Sequence, residues 1–156
     1  MKKVFTILVT AGLLLIQNTG YAQIGNAVGN TIADDNKDAT AANVLKWTKE
    51  VLPKMERLVP KLNKIKANNP GKPAGDALRL LATVNHLKEI NGKGARLKAD
   101  EAKRYYDLIA GVVNTFYIDC KSVNNKVCCI DCHPHGILGI WCFANCFVAR
   151  FPGEND

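Results

Sequence analysis

The chain has 156 residues and a formal charge of +7, with 47% hydrophobic and 22% charged residues, a length that accommodates one domain with a modest core and excludes a large multidomain assembly. The charge is concentrated: residues 44–104 carry 15 Lys/Arg against 6 Asp/Glu, a local +9, whereas residues 23–43 and 105–156 each come to −2. No Ser-His-Asp set, phosphate-cradling glycine loop or paired-carboxylate signature occurs, so the enzyme classes built on them are not expected.

Residues 1–22 read as a signal peptide. Lys2 and Lys3 form a basic start, residues 4–16 an apolar run of 13, and Gly20-Tyr21-Ala22 places small residues where a signal peptidase cuts. The run is too short to span a bilayer, which takes about 20 residues, so a removed signal is expected, no transmembrane anchor, and a periplasmic or secreted mature chain of charge +5. Outside the cytosol a basic block meets lipid headgroups, surface polysaccharide or an acidic protein more often than nucleic acid.

Residues 23–40 lack apolar periodicity and read as a flexible lead-in, after which Asp38 or Thr40 caps a helix. Its apolar stripe is Val44, Val51, Met55, Leu58, Leu62 and Ile65. Pro53 and Pro60 fall at matching places in a short repeat, Val51-Leu-Pro-Lys-Met-Glu-Arg57 and Leu58-Val-Pro-Lys-Leu-Asn-Lys64, so the helix either kinks or restarts at each. Lys54, Arg57, Lys61 and Lys64 keep the same three-and-four spacing beside the stripe, the pattern of a basic amphipathic helix and a candidate contact for an anionic surface.

The turn residues at 68–73 end this element. A second helix, starting within residues 73–76, buries Ala77, Leu80, Leu81, Val84 and Leu87 and stops at Asn91-Gly92. His86 reads as an ordinary, partly exposed side chain. The third helix starts near Ala99 and sets Ala102, Tyr105, Tyr106, Ile109, Val112, Val113 and Phe116 on one face, which Cys120 continues.

All six cysteines and two of the three histidines lie in residues 120–146. An even number of cysteines in an exported chain implies three disulfides among Cys120, Cys128, Cys129, Cys132, Cys142 and Cys146, in any of 15 pairings, with the adjacent Cys128 and Cys129 taking separate partners. The apolar run at residues 137–151 is expected to cover the helices as a buried short helix or strand.

The alternative turns on Cys129-Ile-Asp-Cys132-His133, the spacing for haem c attachment. Its late position in an exported helical chain resembles the helical-bundle c-type cytochromes. That resemblance implies thioethers at Cys129 and Cys132, His133 as axial ligand, and electron transfer. With Cys128, Cys142, Cys146 and His135 nearby, the same segment also offers soft ligands for a metal, though thiolates outside the cytosol oxidise and none is assigned. The pair Cys128-Cys129 resembles the start of the secreted phospholipase A2 motif, but His133 comes one residue late and Pro134 replaces the calcium-binding Asp, so that activity is not expected.

The expected architecture is therefore mainly α: about three amphipathic helices in a small bundle over residues 41–119, followed by a disulfide-rich apolar lobe over residues 120–156 that packs on it. The expected function is non-enzymatic binding outside the cytosol.

Overall fold

The structure, a computed structural model, describes residues 39–122, Cys132 and residues 136–154. The signal peptide and most of the lead-in, together with Cys128, Cys129, His133 and His135, lie outside the described residues. Five α-helices occur among them and no strand: α1 Ala41–Glu56, α2 Val59–Asn68, α3 Lys72–Lys93, α4 Ala99–Ser122 and α5 Gly136–Ala149. The count differs from the three helices expected, for two local reasons.

First, the basic amphipathic stretch is two helices. Thr40 caps α1, its hydroxyl accepting the Asn43 N–H at 3.2 Å. At Pro60 the helix restarts, because proline offers no N–H to the preceding turn and is best accommodated at a helix start, here the first turn of α2. The intervening Arg57 and Leu58 keep right-handed helical dihedrals, and Leu58 N–H reaches the Met55 carbonyl at 3.0 Å, so the join is a tightened turn and not a loop. Pro53 does not break α1. It and Lys49, whose carbonyl loses its helical donor, are both exposed, so water can take that bond. All six residues of the expected stripe, from Val44 to Ile65, are buried.

Second, the C-terminal apolar run is a full helix. Nine of the fourteen residues of α5 are buried, which places it inside the bundle between α1 and α4. Gly136 enters with φ +41, and a Cβ on it would lie 2.6 Å from the Tyr106 hydroxyl and 2.7 Å from the Tyr106 ring. From that contact α5 runs parallel to α4: Tyr117 meets Phe143 at 6.4 Å, Phe116 meets Phe147 at 5.8 Å, and Arg150 approaches Cys120. These ring contacts are edge-on, the geometry aromatic quadrupoles favour. The turn Pro152–Glu154 returns to α2.

Helices α3 and α4 form an antiparallel pair held by charge at both ends. The Lys72 ammonium donates to Asp76 (2.8 Å) and to Asp119 near the end of α4 (2.6 Å). Asp119, then Asp76, hold that ammonium above the usual lysine range through these hydrogen bonds. At the opposite end Lys93 donates to Glu101 at 2.8 Å, and Glu101 also accepts the Lys98 N–H. The Glu101 carboxyl is consequently lowered by Lys93 and then by that N–H, while Lys93 is raised by Glu101. Between the ends, the Tyr105 hydroxyl donates to Glu89 at 2.7 Å. Helix α3 runs past Asn91-Gly92 and ends at Gly94, whose φ of +52 makes it the terminating glycine. The two expected core faces hold in outline. Leu81 and Val112 are only half-buried, while Thr83, Ile90 and Ala110 join the core.

Gly136→Ala is expected to lower unfolding stability by about 2–4 kcal/mol, combining a left-handed backbone with a collision against a buried ring. Gly111 is exposed in α4 with nothing near its Cβ position, so Gly111→Ala is expected to raise stability by about 0.5–1 kcal/mol. Urea titration of both variants checks the pair. Glu101→Gln is expected to be less stable than the native chain at neutral pH. The gap closes as pH falls below the ordinary carboxylate range, because a lowered carboxyl contributes stability that acid removes by protonating it in the fold. On the alkaline side the raised Lys93 loses its contribution only as pH climbs through its folded value. Urea midpoints measured across pH check both signs.

Candidate functional site

Two groups of residues carry chemistry: the sulfurs around the start of α5, and the cations along α1 and α2. On α5, Cys142 and Cys146 are four residues apart and so lie on adjacent turns of one side. Cys132 precedes the helix and is joined to Cys142, with S–S 1.99 Å and Cα–Cα 5.6 Å. The Cys146 sulfur lies 3.8 Å from that of Cys132, so three sulfurs gather within 4.8 Å of one another. Cys132 and Cys146 are buried, and Cys142 is partly covered.

Cys120 sits one turn beyond Phe116 on α4, half-buried against the core as the helical spacing predicts, with the Arg150 guanidinium 3.8 Å from its sulfur. Cys120 is also in a disulfide, and so is Cys146. Among the described residues no cysteine is a free thiol.

That bonding state decides what the sulfurs can do. A sulfur in a disulfide is neither a thiolate ligand for a metal nor a nucleophile. Nor can Cys132, joined to Cys142, carry the thioether that haem c attachment requires, so the arrangement here does not fit that group. Its remaining expected partners, Cys129 and His133, lie outside the described residues. What the sulfurs accomplish is mechanical, since the Cys132–Cys142 bond closes the entry of α5 onto its own second turn.

The cations occupy the side of α1 and α2 away from the buried stripe. Arg57, in the turn between the two helices, and Lys64 on α2 are exposed, while Lys61 and Lys54 are half-buried. Lys54 is held from two sides: its ammonium lies 3.5 Å from the Glu50 carboxylate and 5.4 Å from the centre of the Trp141 ring on α5. Residues 57–75 contain five Lys/Arg and no Asp/Glu. Four of those five are on or beside α2, and the fifth, Lys72, is occupied by Asp76 and Asp119. The four spaced cations thus span two helices and a turn.

Trp141 was not foreseen as part of this surface. The run containing it is apolar throughout, so no polar spacing marks an outward side, and only packing against α1 reveals that Trp141 faces out. His86 is half-buried, its ring 5.8 Å from that of Tyr105 and its Nδ1 3.9 Å from Glu89. No other histidine or cysteine joins it among the described residues. A shallow open depression along α4, lined by Asp100, Lys103, Arg104, Asp107 and Leu108, has its Lys103 paired to Asp107 at 2.7 Å and brings no reactive groups to one point. The chain matches no protein-family model, no curated protein and no solved structure.

Cutting the Cys132–Cys142 bond by replacing both residues with Ala is expected to cost about 2–3 kcal/mol, the loop-closure value for a ring of this size. Urea unfolding of the double variant checks the magnitude. Peptide mapping of unreduced native protein should recover Cys132 and Cys142 in one linked pair.

Proposed function

We propose that this is an exported helical protein, stapled by disulfides, that acts by binding and not by catalysis. Its ligand is an anionic surface or an acidic protein, contacted through Lys54, Arg57, Lys61 and Lys64. The observation that carries this reading is the segregation of charge on α1 and α2: the apolar stripe is wholly buried, the cations stand at the solvent side, and residues 57–75 supply no acid to neutralise them. A solvated basic surface would also keep the chain soluble. However, residues 41–68 carry seven Lys/Arg against two acids, Glu50, which lies against Lys54, and Glu56, which lies against Lys88 of α3. A positive field left over one pair of helices attracts an anionic partner over roughly a Debye length, about 8–10 Å at physiological salt.

Export is supported by the basic and apolar N-terminal segment with its small residues at the cleavage position. The disulfides fit it, because cystines persist in oxidising compartments.

Replacing Arg57, Lys61 and Lys64 together with Gln is expected to weaken attachment to phosphatidylglycerol vesicles about hundredfold, at about 1 kcal/mol for each basic residue near such a surface. Raising salt should weaken the native chain in the same direction and the triple variant far less. Co-sedimentation with vesicles measures both, and unchanged attachment in the variant with an unchanged circular dichroism spectrum overturns the reading.

A further inference from the structure

We propose that the anionic partner is a lipid bilayer, and that Trp141 and Leu138 of α5 enter its interfacial layer while Lys54 and Arg57 hold the headgroups. This rests on reading the α1 and α2 cations as a binding surface, and it adds the apolar half of the contact.

The argument begins with the outward side of α5. Most of this helix is buried, yet Leu138 and Trp141 are 38% and 36% exposed. They are three residues apart, which makes them neighbours on the helix surface. The other exposed large apolar residues, Leu78, Leu108 and Ile118, are on α3 and α4, and Leu108 shares its depression with Lys103 and Arg104 but also with the acids Asp100 and Asp107. At Trp141 the apolar projection is aromatic and meets a basic side chain directly, with Lys54 lying 5.4 Å from the ring centre. Arg57 follows Lys54 by three residues at the end of α1 and therefore extends the same side.

This combination is the one a membrane interface selects. An indole ring is apolar with one polar edge and settles at headgroup depth. Lysine lays its aliphatic stem along apolar surface and sends its ammonium to phosphate, so Lys54 beside Trp141 can keep the ring company and still reach a headgroup. Leu138 adds aliphatic area that an anionic polysaccharide would have no use for. The ring face a sugar would stack against is moreover the kind of face Lys54 already approaches. No helix among the described residues is long and apolar enough to cross a membrane, so the contact is with the surface layer alone.

The test uses the full chain carrying Trp47→Phe, which leaves Trp141 as the one tryptophan. Mixed with vesicles of phosphatidylglycerol and phosphatidylcholine, its emission is expected to shift to shorter wavelength. Acrylamide should quench it less and brominated lipid should quench it. Leu138→Ala with Trp141→Ala in the native chain should lower affinity for these vesicles about tenfold while leaving attachment to dextran sulfate unchanged.

Vesicle binding with Trp141 emission and quenching unaltered would overturn the inserted contact and leave the charge-based reading intact. A blue shift with dextran sulfate and none with vesicles would overturn the lipid assignment in favour of a polysaccharide. Binding to neither anionic probe would remove both readings. If the Trp47→Phe chain does not fold, brominated-lipid quenching of the native chain against its Trp141→Phe variant reads the same depth.

Discussion

Everything in this molecule is arranged around the need to bury α5. A helix whose residues are apolar on almost every side cannot lie on a surface. Water must be excluded around it, and only a slot between other helices does that. Ile137, Ile140, Phe143, Phe147 and Val148 are each under 5% exposed, and burial of five such side chains is worth about 10 kcal/mol as an upper estimate. That is the size of the whole net stability of an ordinary domain. The first four helices without α5 would present a hollow lined by Tyr106, Phe116 and the stripe of α1. Gly136 makes the fit possible by letting backbone rest against the Tyr106 ring.

The same arrangement separates the charges into two kinds. On α3 and α4 two lysines bridge the pair, Lys72 to Asp119 and Lys93 to Glu101. Those of α1 and α2 have the core on one side, so they can only point outward, and the short supply of acids there leaves a positive field. Because α5 rises beside α1, it brings the Trp141 ring into that field. An aromatic group that the sequence places far from the basic stretch thereby becomes its neighbour.

Much of the helical core was legible from spacing alone. The stripe from Val44 to Ile65 and the Tyr105, Tyr106, Ile109, Val113 and Phe116 face follow the three-and-four rule and are buried as that rule requires. Cys120 was placed on the α4 face by the same arithmetic. What spacing could not decide has identifiable causes. The two prolines look equivalent in the repeat and both are exposed, yet α1 continues through Pro53 whereas Pro60 opens α2. Gly92 and Gly94 are both plausible ends for α3, since either glycine can take a positive φ, and it is Gly94 that does. In α5 the difficulty is deeper. A continuous apolar run has no period to read, so neither its helical state nor the outward place of Trp141 could be seen before its neighbours were known. The pairing of Cys132 with Cys142, finally, was one of many that cysteine counting allows.

The parallel course of α4 and α5 has a bearing on the order of events during synthesis. Because α5 lies C-terminal to every helix it packs against, a chain that emerges N-terminus first carries an unfinished core until its last stretch is free. The contacts of α5 with α1 join residues about 90 positions apart, as Lys54 and Trp141 are, and such distant closures come late and slowly. The cystine ring at Cys132 would then act as a latch on an assembly already complete, fixing in place the one helix that arrived last.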